Sequence, residues 1–96
     1  MTDIADLSAT ELRGAIVSRA VSPLEAVDAA YARIEAGGKL NAFMALCRDR
    51  AREEAGLAEK TSREDQGPLH GLPFSVKDLT NTADVATTQG SALFAH

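Results

Sequence analysis

Residues 67–78 read GPLHGLPFSVKD, and no other stretch of the chain restricts its backbone so tightly. Pro68 and Pro73 have a fixed φ and no N–H to donate. Neither fits a helix interior or the middle of a hydrogen-bonded ladder. Gly67 and Pro68 favour a turn, and Gly71 lets neighbouring backbone come close because it has no Cβ. Residues 72–77 then read as a strand, with Pro73 at its start or on an edge. Side chains alternate along a strand, so Phe74 and Val76 face one way and Ser75 and Lys77 the other.

The rest of the chain carries helix signals. Ser8-Ala-Thr-Glu11 has the form of a capping box and predicts a helix over about 9–19, with Leu12, Ile16 and Ala20 along one face. Ser22-Pro23-Leu24-Glu25 predicts a second helix over 23–36, because Ser22 caps and Pro23 suits the first helical position. Leu24, Val27, Tyr31 and Ile34 recur at helical spacing and should form one buried stripe. Gly37 and Gly38 end that helix through a left-handed C′ residue. "NAFMAL", residues 41–46, reads as a buried strand. A third helix is expected over 49–63, with Ala51, Ala55 and Ala58 as its inner stripe and Glu59 paired with Arg63.

These elements predict an α/β fold of helices and first strands. Two strands do not make an independently stable sheet. Residues 1–96 are therefore expected to be the N-terminal part of one larger domain, truncated before its sheet is complete. No internal repeat and no low-complexity segment interrupts the pattern.

The hydrophobic share is 45% and the charged share 25%, as in ordinary globular proteins. A net charge of −4 with no long basic run argues against a generic nucleic-acid or membrane-surface binder. No apolar run approaches the ~18 residues needed to cross a bilayer. The start has early acids and no basic segment, unlike a secretory signal, so a cytoplasmic location is expected. Cys47 is the only cysteine, which excludes an internal disulfide and reads best as a small buried hydrophobe. His70 and His96 are isolated, so no metal spacing exists, and no cofactor motif is present. His70, in a tight turn, reads as a packing or hydrogen-bonding residue.

Lys77 is the candidate catalytic residue. A strand-end lysine is ordinarily solvated, but this one follows two glycines and two prolines that hold the backbone rigid, and rigid elements are what a catalytic site requires. A lysine serves as a base only when neutral. At its reference pKa of ~10.4 roughly one in 2,500 is neutral at pH 7, and halving the charged fraction needs a downward shift of about 3 units. Burial and nearby positive charge can supply such a shift. A neutral lysine can then deprotonate a serine. Asp78 would oppose this if it faced Lys77, but adjacent strand residues point to opposite sides.

Residues 67–78, continuing through "TNTADVATTQGS" at 80–91, resemble the amidase signature enzymes. The Gly-Pro-Leu, the Gly-x-Pro and the Lys-Asp pair occur in order and at the family spacing. The upstream helices and "NAFMAL" sit where the family's N-terminal helices and first strand would be. Asp84 departs from the glycine common after Thr-Ala, and Ala86 from Pro or Arg. The resemblance implies a mixed sheet covered by helices and a Ser–cisSer–Lys triad in which Lys77 is the lysine. The two serines belong to a Gly/Ser-rich segment that this chain lacks, since Ser91 is its last serine and is not in such a context.

The resemblance thus implies an amidohydrolase that cleaves a small-molecule amide without cofactor or metal, inactive as these 96 residues alone. It leaves room for a homodimer of the full-length protein. An alternative is the A subunit of a tRNA-dependent amidotransferase, the one case in which a nucleic-acid partner is expected. A third reading, of another class, is a non-catalytic helical interaction fragment.

Overall fold

The computed structural model describes residues 3–40, 42–43, 45–78 and 80–88. Its first α-helix, α1, spans Ala9–Val17, and the capping box forms as the sequence predicts. The Ser8 hydroxyl accepts from the Glu11 N–H at 3.1 Å, and the Ser8 N–H donates to Glu11 Oε1 at 2.9 Å. These bonds, backbone first, hold the Glu11 carboxyl below its ordinary value. α2 spans Pro23–Ala36 and repeats the device with Ser22 and Glu25 at 3.0 and 3.1 Å. α3 spans Arg48–Glu59 and has no side-chain cap.

The helix ends differ from expectation, each for a local reason. α1 stops at Val17, short of residue 19, because Arg19 turns left-handed with φ 65°. The Ala20 N–H then bonds Ala15 O and the Arg19 N–H bonds Ile16 O, closing a Schellman motif with an arginine where glycine is usual. α2 ends without a left-handed residue: Gly37 has φ −94°, and the chain passes directly into a 3-10 turn at Gly38–Leu40. α3 ends at Glu59 rather than 63. The Thr61 hydroxyl bonds back to Leu57 O, and the Ser62 hydroxyl bonds Asp65, opening a new 3-10 turn at Arg63–Asp65.

Among the described residues there is no β-strand, only an isolated bridge between Thr82 and Val85. The strands expected over 41–46 and 72–77 are therefore corrected to irregular chain, with Asn41 and Met44 outside the described residues. The reason is physical. A strand exists only where its N–H and C=O groups meet a neighbouring strand. Residues 72–77 are instead tied by turn bonds at their ends, Leu72 N–H to Leu69 O at 3.1 Å and Thr80 N–H to Lys77 O at 3.0 Å. The described part is helical, and the α/β expectation is not met within it.

The core lies where α2 meets α3 and α1. Ile16, Ala26, Val27 and Ala55 are its buried apolar residues, joined by Pro23. Alanines at the α2–α3 contact let the backbones come close. Of the α2 stripe, Val27 is buried, while Leu24, Tyr31 and Ile34 are only half-buried. Ion pairs Asp28–Arg52 and Glu35–Arg48 cross between the helices, and Arg48 lies over the Tyr31 ring at 5.5 Å. Such exposed pairs contribute about 0–1 kcal/mol each, so apolar contact carries the packing. The expected Glu59–Arg63 pair is replaced by longer links: Glu59 accepts from the Leu24 N–H at the start of α2, and Arg63 donates to Val17 O.

Candidate functional site

A groove of about 1060 Å³ is walled by α2 and α3 and lined along one side by residues 71–78. Val27 and Tyr31 from α2, Ala51 and Ala55 from α3, Phe74 and Lys77 all border it. Phe74 is 86% exposed and Val76 47%, so apolar surface stands open beside the lysine. Lys77 is itself exposed, and among the described residues its ammonium makes no ion pair. Cys47, half-buried with a free thiol, lies on the same groove just ahead of α3.

The Gly/Pro segment is clamped to the helices before it reaches Lys77. Arg13 of α1 donates to Pro68 O at 3.2 Å, to Gly67 O at 3.1 Å and to Gln66 Oε1 at 3.3 Å. Its remaining terminal nitrogen, Nη1, is buried without a partner among the described residues. The His70 ring meets Ala58 O at 2.9 Å through Nε2, which must carry the proton because a carbonyl only accepts. Gly71 has φ +82°, and a Cβ there would stand 3.1 Å from Ile16 Cγ2 and 3.2 Å from Pro23 Cγ. The glycine permits both a left-handed backbone and direct seating on α1 and α2.

Beyond Lys77 the chain is closed into a loop. Asp78 Oδ1 accepts from the Thr88 N–H at 2.7 Å, and Oδ2 accepts from the Thr88 hydroxyl. Thr88 is 7% exposed. Inside the loop the Thr87 hydroxyl bonds Thr80 O at 3.4 Å, and Asp84 sits at φ 62° in the turn that the Thr82–Val85 bridge spans. Aspartate tolerates this left-handed region better than most side chains, so the departure from glycine at this position is absorbed. Arg50 of α3 donates to Ala83 O at 2.7 Å and ties the loop tip to the helix.

Sequence reasoning singled out Lys77 and the Gly/Pro frame. It missed Arg13, Thr88 and Arg50, because each reaches its partner across a long sequence separation with no local signal. Ser91 and His96 lie outside the described residues. Among the described residues no cluster of His, Cys, Asp and Glu suits a metal ion, and no helix is long and apolar enough to cross a membrane.

The family model described as Amidase matches residues 25–96. The chain is 40% identical, over 97% of its length, to the A subunit of glutamyl-tRNA(Gln) amidotransferase from Rhodopseudomonas palustris (strain BisB18). It is 41% identical, over 96% of its length, to the protein of the same name from Rhodospirillum rubrum, and 40% identical, over 97%, to that from Thermobifida fusca (strain YX). It spans 19% of the length of each of these relatives. No solved structure matches.

Proposed function

The chain belongs to the amidase family, and on that premise we propose that it is the N-terminal part of an enzyme that cleaves the C–N bond of a small-molecule amide, with Lys77 carrying the proton. The single observation that supports this most is the placement of Lys77. It borders an open groove a few residues beyond a turn clamped to α1 and α2, so the backbone that leads to it has a fixed starting point.

In this reading the neutral Lys77 Nζ takes a proton, through a bridging serine, from a second serine that attacks the amide carbonyl. The protonated lysine returns that proton to the departing nitrogen, and water then releases the acid from the acyl-enzyme. Both serines lie outside this chain. The 96 residues form the start of a single α/β domain whose remaining part covers Phe74 and Val76 and builds the substrate pocket.

The names of the relatives favour a second reading, the A subunit of a tRNA-dependent amidotransferase. The net charge of −4, without a long basic run, offers no extended basic surface for tRNA on these 96 residues. The test uses the full-length protein, a simple aryl amide, and the variants Lys77→Ala and Lys77→Arg. Hydrolysis by the wild type with no other protein or tRNA added is expected, and both variants should be inactive, since arginine keeps its proton near neutral pH. Turnover appearing only with partner proteins and charged tRNA selects the second reading. Near-wild-type turnover in either variant removes Lys77 from the mechanism.

A further inference from the structure

We propose that Asp78 is a positioning residue for Lys77, acting through its two-pronged grip on Thr88; this rests on the reading of Lys77 as the base. Both oxygens of one carboxylate are held by donors of one residue, the backbone N–H at 2.7 Å and the side-chain hydroxyl. Hydrogen bonds to a charged group are about twice as strong as neutral ones, and two from one residue also fix orientation. The grip ties residue 78, immediately after the lysine, to residue 88. It does so at a threonine that is 7% exposed and thus anchored in the packed part of the molecule. With the Gly/Pro clamp ahead of Lys77 and this closure behind it, the lysine backbone is held from both sides.

The grip also orients the carboxylate nearest to Lys77 in the chain. Among the described residues, the other charged side chains bordering the same groove are Arg33 of α2, Arg50 and Glu54 of α3, and Asp78. Arg33 is engaged by Asp3 and Asp6, and Arg50 by Glu54 and Ala83 O. Asp78, next to Lys77 in the chain, is in turn held in a fixed place by Thr88. A carboxylate turned toward the ammonium would stabilise the charged, inactive form.

The experiment compares Asp78→Asn, Thr88→Val, Thr88→Ser and Lys77→Ala in the full-length protein, reading kcat, KM and thermal midpoint. Thr88→Val removes the hydroxyl and keeps shape, and should lower kcat about tenfold to a hundredfold with little change in KM, as for a misplaced catalytic group. Thr88→Ser keeps both donors and should recover most of that loss. Asp78→Asn replaces one acceptor oxygen by an amide donor and should lower kcat similarly, again with little change in KM. If Asp78→Asn fails to fold, the contrast between the valine and serine variants still decides. Activity lost in proportion to the thermal midpoint, without recovery in Thr88→Ser, overturns the proposal as a merely structural effect. So does kcat within twofold of wild type in Thr88→Val while Lys77→Ala is inactive. An active Lys77→Ala instead sinks the reading of the base on which the proposal stands.

Discussion

Replacing Gly71 by alanine puts a single methyl group against the joint between the Gly/Pro segment and the helices. At φ +82° an L-residue suffers the left-handed penalty, about 1–2 kcal/mol. The new Cβ would also press on Ile16 Cγ2 at 3.1 Å, Pro23 Cγ at 3.2 Å and Ile16 Cδ1 at 3.4 Å. Ile16 is 7% exposed and Pro23 is buried, so neither can simply swing away. Overpacking of this kind costs ~1–3 kcal/mol. Alanine also reduces the freedom of the unfolded chain, which returns ~0.4–1 kcal/mol. The net expectation is a loss of about 1–4.5 kcal/mol, a large share of the ~5–15 kcal/mol by which a domain is stable. Urea unfolding of the full-length protein reads it as a lowered midpoint at unchanged slope. Gly67→Ala is the control, since nothing lies within 4 Å of the Cβ built there, and it should stay within ~0.5 kcal/mol of wild type. A double-mutant cycle with Ile16→Val separates the two causes. A coupling of ~0.5 kcal/mol or more marks the contact, and additivity marks backbone strain alone. Equal stabilities for the two glycine variants would refute the seating of Gly71 on α1 and α2.

Arg13→Lys removes the fork that serves Pro68 O, Gly67 O and Gln66, so cleavage at the 66–68 turn in limited proteolysis should accelerate several-fold; unchanged cleavage would show that the turn holds itself. Arg19→Gly relieves a non-glycine left-handed residue and should raise stability by ~0.5–1 kcal/mol in thermal unfolding, a gain that Arg19→Ala should not share. Glu11 has its folded pKa below the ordinary 4.5, so its contribution is complete above that value and is lost as pH falls through the folded one. Glu11→Gln should therefore flatten the acid limb of stability below about pH 4.5, and an unchanged limb would count against the capping box as its source.

What the sequence reveals and what it hides divide by the reach of each bond. Ser8 with Glu11 and Ser22 with Glu25 act across three residues, and both boxes form where the pattern puts them. The helix ends were less legible. Arg19 holds a left-handed position that composition alone assigns to glycine, and Ser62 turns to Asp65 instead of continuing α3. The strands were least legible, because a strand is defined by a neighbour and not by its own residues.

The same division explains the candidate site. The motif names Lys77, but its place is set by residues far from it in sequence. Arg13 holds the turn 53–55 residues downstream of itself, and Arg50 holds Ala83 across 33. Glu59 reaches back 35 residues to the first turn of α2, which fixes α3 against the helix on which Gly71 also rests. Each of these partners is a backbone carbonyl or N–H, apart from the Gln66 side chain. A backbone group is offered by almost any residue, so the backbone end of such a bond leaves no mark in the sequence. Only the donor arginine or the acceptor glutamate is visible, and on an exposed helix face it looks like any other charge. The helices before the motif thus act as its mount, and substitutions at Arg13, Arg50 and Glu59 should disturb Lys77 without touching the segment that identifies it.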